Sequence, residues 1–283
     1  MPHLDVFGHR GSSEATRQQF LIADLQRSIH VHQTTLELDA DTRAFGGSIG
    51  QLIVVSDGLQ PNGAGGQAGR LALEAVAEYL LNAFRIAERQ AGDEQGLRAE
   101  LTEAIQHCHR KLQQHTSANA QQDELQVELT AVFVIWPEAF VIRAGQTACD
   151  HWRSGNLYRV TKDGGEILLG TASDLVDPGF ARFSLQAGDR LLVSTRGLSD
   201  ALPVHEITQM VGRPDRAEQI CRHLVDAASA ATDSSHAAVV VCIEDQPPAA
   251  QVATSKAQPQ PVENEQPAAG TVQRSSSDGE LTA

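Results

Sequence analysis

Asp57-Gly58 closes the apolar run Gly50–Ser56 (GQLIVVS). A carboxylate at a strand end, with a glycine carbonyl exposed beside it, can hold a hard cation. The same Asp-Gly pair also ends strands as a plain turn, so the pattern leaves both readings open. A Gly-rich stretch follows, Gly63-Ala64-Gly65-Gly66-Gln67-Ala68, between a predicted strand and a predicted helix. Such a stretch can bring backbone N–H groups to a pyrophosphate. Dinucleotide binding also needs a second parallel strand after the helix, and a second helix follows here instead. A structural turn is the better reading. His107, His109 and His115 fall on one predicted helix, lack a carboxylate at ligand spacing, and read as a solvated face. His30 and His32 alternate along a predicted strand and read as surface. Cys108, Cys149, Cys221 and Cys242 form no CxxC or Cys/His pair, which predicts reduced thiols and no structural zinc.

The elements that must position these residues come in a recognisable order. The β-branched run at Gly50–Ser56 suits a buried strand. Helical spacing of apolar residues predicts helices over Gln67–Gln90, Leu97–His115 and Ala217–Ala231. Leu125–Trp136 and Ala139–Ala144, joined at Pro137-Glu138, read as an antiparallel hairpin. Leu157–Thr161 and Ile167–Leu169 flank Asp163-Gly164-Gly165 and read as another. Arg190–Ser194 and Ala237–Ile243 are buried strands. Strand blocks around a central helical pair predict an α+β fold, with antiparallel sheets covered by helices.

Composition sets the outer bounds. Hydrophobic residues are 41% of the 283 and aromatics only 4%, so the core must be built from Leu, Val, Ile and Ala. Lys plus Arg number 22 against 36 Asp plus Glu. That acidic balance, without a local basic patch, argues against nucleic acid or anionic lipid as a partner. The N-terminus lacks the basic start and apolar stretch of a signal peptide. The longest apolar run, Ala131–Trp136, is too short to span a bilayer, which predicts no membrane association and a cytoplasmic protein. From Gln246 to Ala283 the chain turns to Gln, Pro, Ala, Ser and Thr without apolar periodicity. It is expected to be a disordered tail after a folded domain over 1–245. Ser275, Ser276 and Ser277, beside Asp278 and Glu280, are candidate phosphorylation sites in it.

Phe20-Leu-Ile-Ala-Asp24, Gly50-Gln-Leu-Ile-Val-Val-Ser-Asp57-Gly58-Leu59, Leu129-Thr130-Ala131, Gly188-Asp189-Arg190-Leu191-Leu192, Gly197-Leu198 and Val239-Val240-Val241 occur in one order. In that order they resemble the metal-dependent PPM family (type 2C) of Ser/Thr protein phosphatases. The resemblance runs from about Phe7 to Asp245. It implies a sandwich of two antiparallel β-sheets flanked by α-helices. It further implies two Mg²⁺ or Mn²⁺ ions held by acidic residues at one edge, a metal-bound water that attacks phosphoserine or phosphothreonine, and an arginine that clamps the phosphate.

The positions that the resemblance makes functional are mostly altered. Anchored on Phe20, the first motif puts Ser13 at the clamping arginine and Arg17 and Gln18 at the acidic pair. The second motif keeps Asp57 and Gly58, then reads Leu59-Gln60-Pro61-Asn62 in place of a glycine pair and histidine. The third, Gly-Thr-Thr in the family, reads Glu128-Leu129-Thr130. The fourth reads Gly145-Gln146-Thr147-Ala148, with Gln146 at an acidic position. The fifth puts Arg196 at a metal-binding aspartate, and the last puts Ser235 at another acidic position, followed by His236. Asp57 thus remains as a vestigial metal residue.

An arginine in place of a ligand changes the local charge by two units. Each unit-charge pair is worth about 4 kcal/mol at about 4 Å and an effective dielectric near 20. A two-metal centre is therefore not expected, and neither is a cofactor. Asp57 is expected to pair with Arg196, and Arg17, Arg196 and His236 are the candidates for a small anion pocket. The resemblance then implies a pseudophosphatase: a binding or regulatory module whose partner is a protein, such as a phosphoprotein or a kinase. The alternative is a residual Ser/Thr phosphatase that uses Mn²⁺ or Mg²⁺.

Overall fold

Alternation decides the layers. In the strand Gly50–Gly58 (β5), Leu52 and Val54 point to one side, and Ile53 and Val55 to the other, and all four are buried. A strand buried on both faces must lie inside a sheet that is itself covered on both faces. The computed structural model describes residues 3–11, 18–24, 28–31, 34–37, 50–60, 64–82, 94–118, 124–160, 167–173, 177–232, 234 and 236–244.

The strands are β1 (His3–Arg10), β2 (Gln18–Asp24), β3 (Ser28–Val31), β4 (Thr34–Glu37), β5, β6 (Val127–Ile135), β7 (Glu138–Ala144), β8 (Ala148–Arg153), β9 (Asn156–Arg159), β10 (Gly179–Ser184), β11 (Arg190–Ser194) and β12 (Ala237–Glu244). The helices are α1 (Ala64–Asn82), α2 (Glu94–Ala118), α3 (Arg196–Ala201), α4 (Val204–Val211) and α5 (Ala217–Ala231). One sheet has the order β1-β12-β11-β8-β9 and the other β10-β7-β6-β5-β2-β3-β4, and the paired strands run antiparallel. This is the predicted α+β sandwich.

Three apolar layers hold it together. Leu52, Val54 and Phe133 meet Val76, Ile105 and Leu112 of α1 and α2. Ile53, Val55 and Val132 meet Leu191, Val193, Val239 and Val241 between the sheets. Leu192 and Val240 meet Ile220 and Leu224 of α5. The four cysteines are unpaired and buried, and burial pushes the Cys108 and Cys221 thiols up to about 12. No helix among the described residues is long and apolar enough to cross a membrane.

The structure corrects several local expectations. The strand at Asn156–Arg159 does not pair with Ile167–Leu169. It folds back on β8 through Ser154-Gly155, both at positive φ, and Leu169 bridges to Val127 instead. His109 is not on a solvated face: it is 1% exposed. Its Nε2 donates to the Ser173 carbonyl at 2.6 Å and its Nδ1 accepts from Gly170 N–H at 3.0 Å, pinning that segment to α2. Because β5 and β6 run antiparallel with two helices between them, Gly63–Ala68 belongs to no βαβ unit. The first compact unit ends at Gln246, and the expected tail lies outside the described residues.

Candidate functional site

The C-terminal end of β5, the start of β6, the turn between β7 and β8, and α3 meet at one edge of the sandwich. Asp57 is the next-to-last residue of β5 and is 9% exposed. The ladder puts Gln18 of β2 opposite it on one side and Glu128 of β6 opposite it on the other. Directly opposed residues of an antiparallel pair share a face. Asp57 and Glu128 therefore both point into the space between the sheets, on the side of Val55 and Val132.

Glu128, which stands at the glycine of the third motif, is the other buried carboxylate here. It is 3% exposed, and its Oε2 is buried without a hydrogen-bond partner. Burial pushes its carboxyl up, although the Gln146 N–H and the Arg196 and Arg143 guanidinium groups pull the other way. The signal for it was present: a glutamate inside an otherwise apolar strand, where the resembling motif has glycine. Beneath it, the hydroxyls of Thr130 and Thr147 share a 2.8 Å hydrogen bond that fastens β6 to the following turn.

Arg196 does not behave as expected. It is the first residue of α3, and its Nε reaches Asp200 Oδ2 at 3.1 Å, one turn along the same helix. No Asp57–Arg196 ion pair forms among the described residues. The reason is local: an i, i+4 partner costs less ordering than a reach across the cleft. Both side chains are largely exposed, 60% and 65%. Arg196→Ala is therefore expected to change stability by less than about 0.5 kcal/mol, as urea denaturation would measure. A loss of several kcal/mol would restore the buried pairing.

Of the candidate anion pocket, Arg17 lies outside the described residues. His236 is fully enclosed, with Nε2 3.1 Å from Thr232 Oγ1. Burial lowers its pKa, although hydrogen bonds with the backbone of Thr232, Ala228 and Gly197 pull the other way. Ser13 and Ser235 also lie outside the described residues, and Gln18 is placed by register alone. Trp152 is a packing residue, with the Arg190 guanidinium 5.5 Å from its ring.

Gly58 has a structural reason to be glycine. A Cβ there would stand 1.9 Å from the carbonyl oxygen of Gly65 in the first turn of α1. The glycine of the Asp-Gly pair is thus required by packing, whatever the chemistry of Asp57.

The donor set among the described residues does not fit two divalent cations. Among the described residues no group of three or more His, Cys, Asp or Glu side chains comes together. Among the described residues Asp57 and Glu128 face each other here, Asp200 lies close enough to act on Glu128, burial pushes the Glu128 carboxyl up, and two guanidinium groups lie near. Hard cations need ionised oxygens in number, so no step through a metal follows from these residues.

No protein-family model matches the chain, and no curated protein matches it. Solved structures do. A serine/threonine phosphatase of S. agalactiae superposes with a TM-score of 0.67 at 15% identity, over 86% of this chain and 100% of that one. The Mycobacterium tuberculosis serine/threonine phosphatase PstP/Ppp gives 0.63 at 18% identity, over 86% and 99%. PppA of Pseudomonas aeruginosa, described as a key regulatory component of its T6SS, gives 0.62 at 15%, over 85% and 98%. The chain has the fold of the PPM-type serine/threonine phosphatases.

Proposed function

We propose that the chain is a PPM-fold pseudophosphatase: a binding or regulatory module in Ser/Thr phosphorylation signalling, catalytically impaired and free of metal. Its partner is a protein, a phosphoprotein or a kinase, and its place is the cytoplasm. The observation that carries this reading is Arg196. It stands where the resemblance calls for a metal-binding aspartate, and it faces Asp200 at the rim of the cleft. The neighbouring carboxyl of Glu128, buried and drawn toward its protonated form, supports the same reading.

A residual phosphatase is the second reading. It is favoured by Asp57 at the end of β5, and by the similarity to PstP, whose catalytic domain has been solved with two manganese ions. Calorimetric titration with MnCl₂ and turnover of a phosphothreonine peptide separate the two. The pseudophosphatase is expected to show neither binding nor hydrolysis. Two Mn²⁺ sites at micromolar affinity together with turnover would establish the enzyme instead.

A further inference from the structure

Glu128 places a buried carboxyl between two apolar residues of β6. Its neighbours Val127 and Leu129 are fully buried and apolar. Its side chain lies back over Gly145, where an added Cβ would meet Glu128 Cγ at 2.6 Å and Cβ at 2.8 Å. Gly145 has φ +84°, so the turn is shaped to pass beneath the glutamate. The carboxyl takes the Gln146 N–H on one side and leaves Oε2 enclosed on the other. Directly across the ladder stands Asp57.

We infer that Glu128 is a built-in occupant of the cleft: its side chain, folded over Gly145 and opposite Asp57, fills the space that a cation cluster would need. The inference rests on the pseudophosphatase reading and deepens it. On this account the site is closed by a side chain gained at 128 as well as by a ligand lost at 196. Restoring the aspartate alone does not reopen it.

This is open to a test with a clear contrary outcome, because a glutamate beside an aspartate is ordinarily a metal ligand. The full chain is compared with Arg196→Asp, Glu128→Gly/Arg196→Asp and Glu128→Gln/Arg196→Asp, with MnCl₂ affinity read by calorimetry and the melting temperature read with and without EDTA. Arg196→Asp is expected to bind Mn²⁺ no better than the parent. The glycine double variant is expected to bind about tenfold tighter or more, with a melting temperature that falls on adding EDTA. The glutamine double variant, which keeps the shape and loses the charge, is expected to remain closed. Should the glycine double variant not fold, Glu128→Ala/Arg196→Asp takes its place.

Mn²⁺ affinity in Arg196→Asp equal to or above that of the glycine double variant would make Glu128 a ligand and overturn the inference. That result would leave the pseudophosphatase reading standing. Two tight sites in the unaltered chain would instead remove that reading itself.

Discussion

Gly58→Ala is expected to be among the most damaging single substitutions in this protein. The added methyl carbon would sit 1.9 Å from Gly65 O, 2.5 Å from its carbonyl carbon and 2.7 Å from its Cα. These are backbone atoms, so no rotamer change relieves the clash. The first turn of α1 must move off β5, and α1 carries Ala68, Ala72 and Val76 into the outer apolar layer. Overpacking of this kind costs about 3 kcal/mol, which in a domain of this size lowers the melting temperature by roughly 6–12 °C. Differential scanning calorimetry would measure it. A shift of a degree or less would mean that α1 yields freely. The Asp-Gly pair would then need a reason other than packing.

The second large effect is expected at Asp189, far from the cleft. Its carboxylate is 2% exposed and holds together the turn between β10 and β11. It accepts from Arg153 Nε at 2.8 Å and Nη2 at 2.5 Å, and from Gln186 N–H at 2.8 Å, while His151 Nε2 lies 3.0 Å away. Burial pushes its pKa up, but the hydrogen bonds from Arg153, Gln186 and His151 outweigh burial and hold it below the usual aspartate value.

Asp189→Ala leaves Arg153 and His151 without their anion. It should cost about 3 kcal/mol, at the lower end for a broken buried pair because Arg153 is partly exposed. The sign of the pH dependence follows from the lowered pKa. The stabilisation is complete above the unfolded value of 3.8 and is lost as pH falls through the lower folded value. The gap in unfolding free energy between parent and variant should therefore be flat from pH 5 to 8 and close at strongly acid pH. A gap that widened on acidification would show that the carboxylate is not ionised in the folded state.

The layered fold was legible because its signals are local and repeated. Leu52 to Val55 form an unbroken apolar run, rich in β-branched residues, that suits a strand buried on both faces, and α5 shows Ile220 and Leu224 at helical spacing on its buried face. The short α3 and α4 escaped notice because a single turn or two carries too little periodicity. The edge strands β1 and β10 escaped because their faces are only half-buried, which blurs alternation. The strand Asn156–Arg159 was seen, but its partner was misjudged: the turn that decides the pairing, Ser154-Gly155, lies before the strand rather than after it.

At the site, Asp57 could be found from its place at a strand end. Glu128 could not be ranked until the β5–β6 register set it opposite Asp57, because register is a long-range property. The partner of Arg196 was misjudged for a related reason. Asp200 becomes its neighbour only if residues 196–201 form a helix, and six residues carry too little periodicity to show one in the sequence.

The position of β12 has a consequence for biosynthesis. This last described strand is inserted between β1 and β11, pairing with β1 over Ala237–Glu244 and with β11 over Ala238–Cys242. A nascent chain that has not yet emitted Ala237–Glu244 therefore holds two strands with open ladder groups. Val239 and Val241 are also missing from the inter-sheet layer, and Ala238 and Val240 from the helix-covered layer. Such a chain presents the open edges that invite pairing with other chains. A premature stop codon upstream of position 237 should thus yield an aggregating polypeptide for the quality-control machinery rather than a smaller working domain.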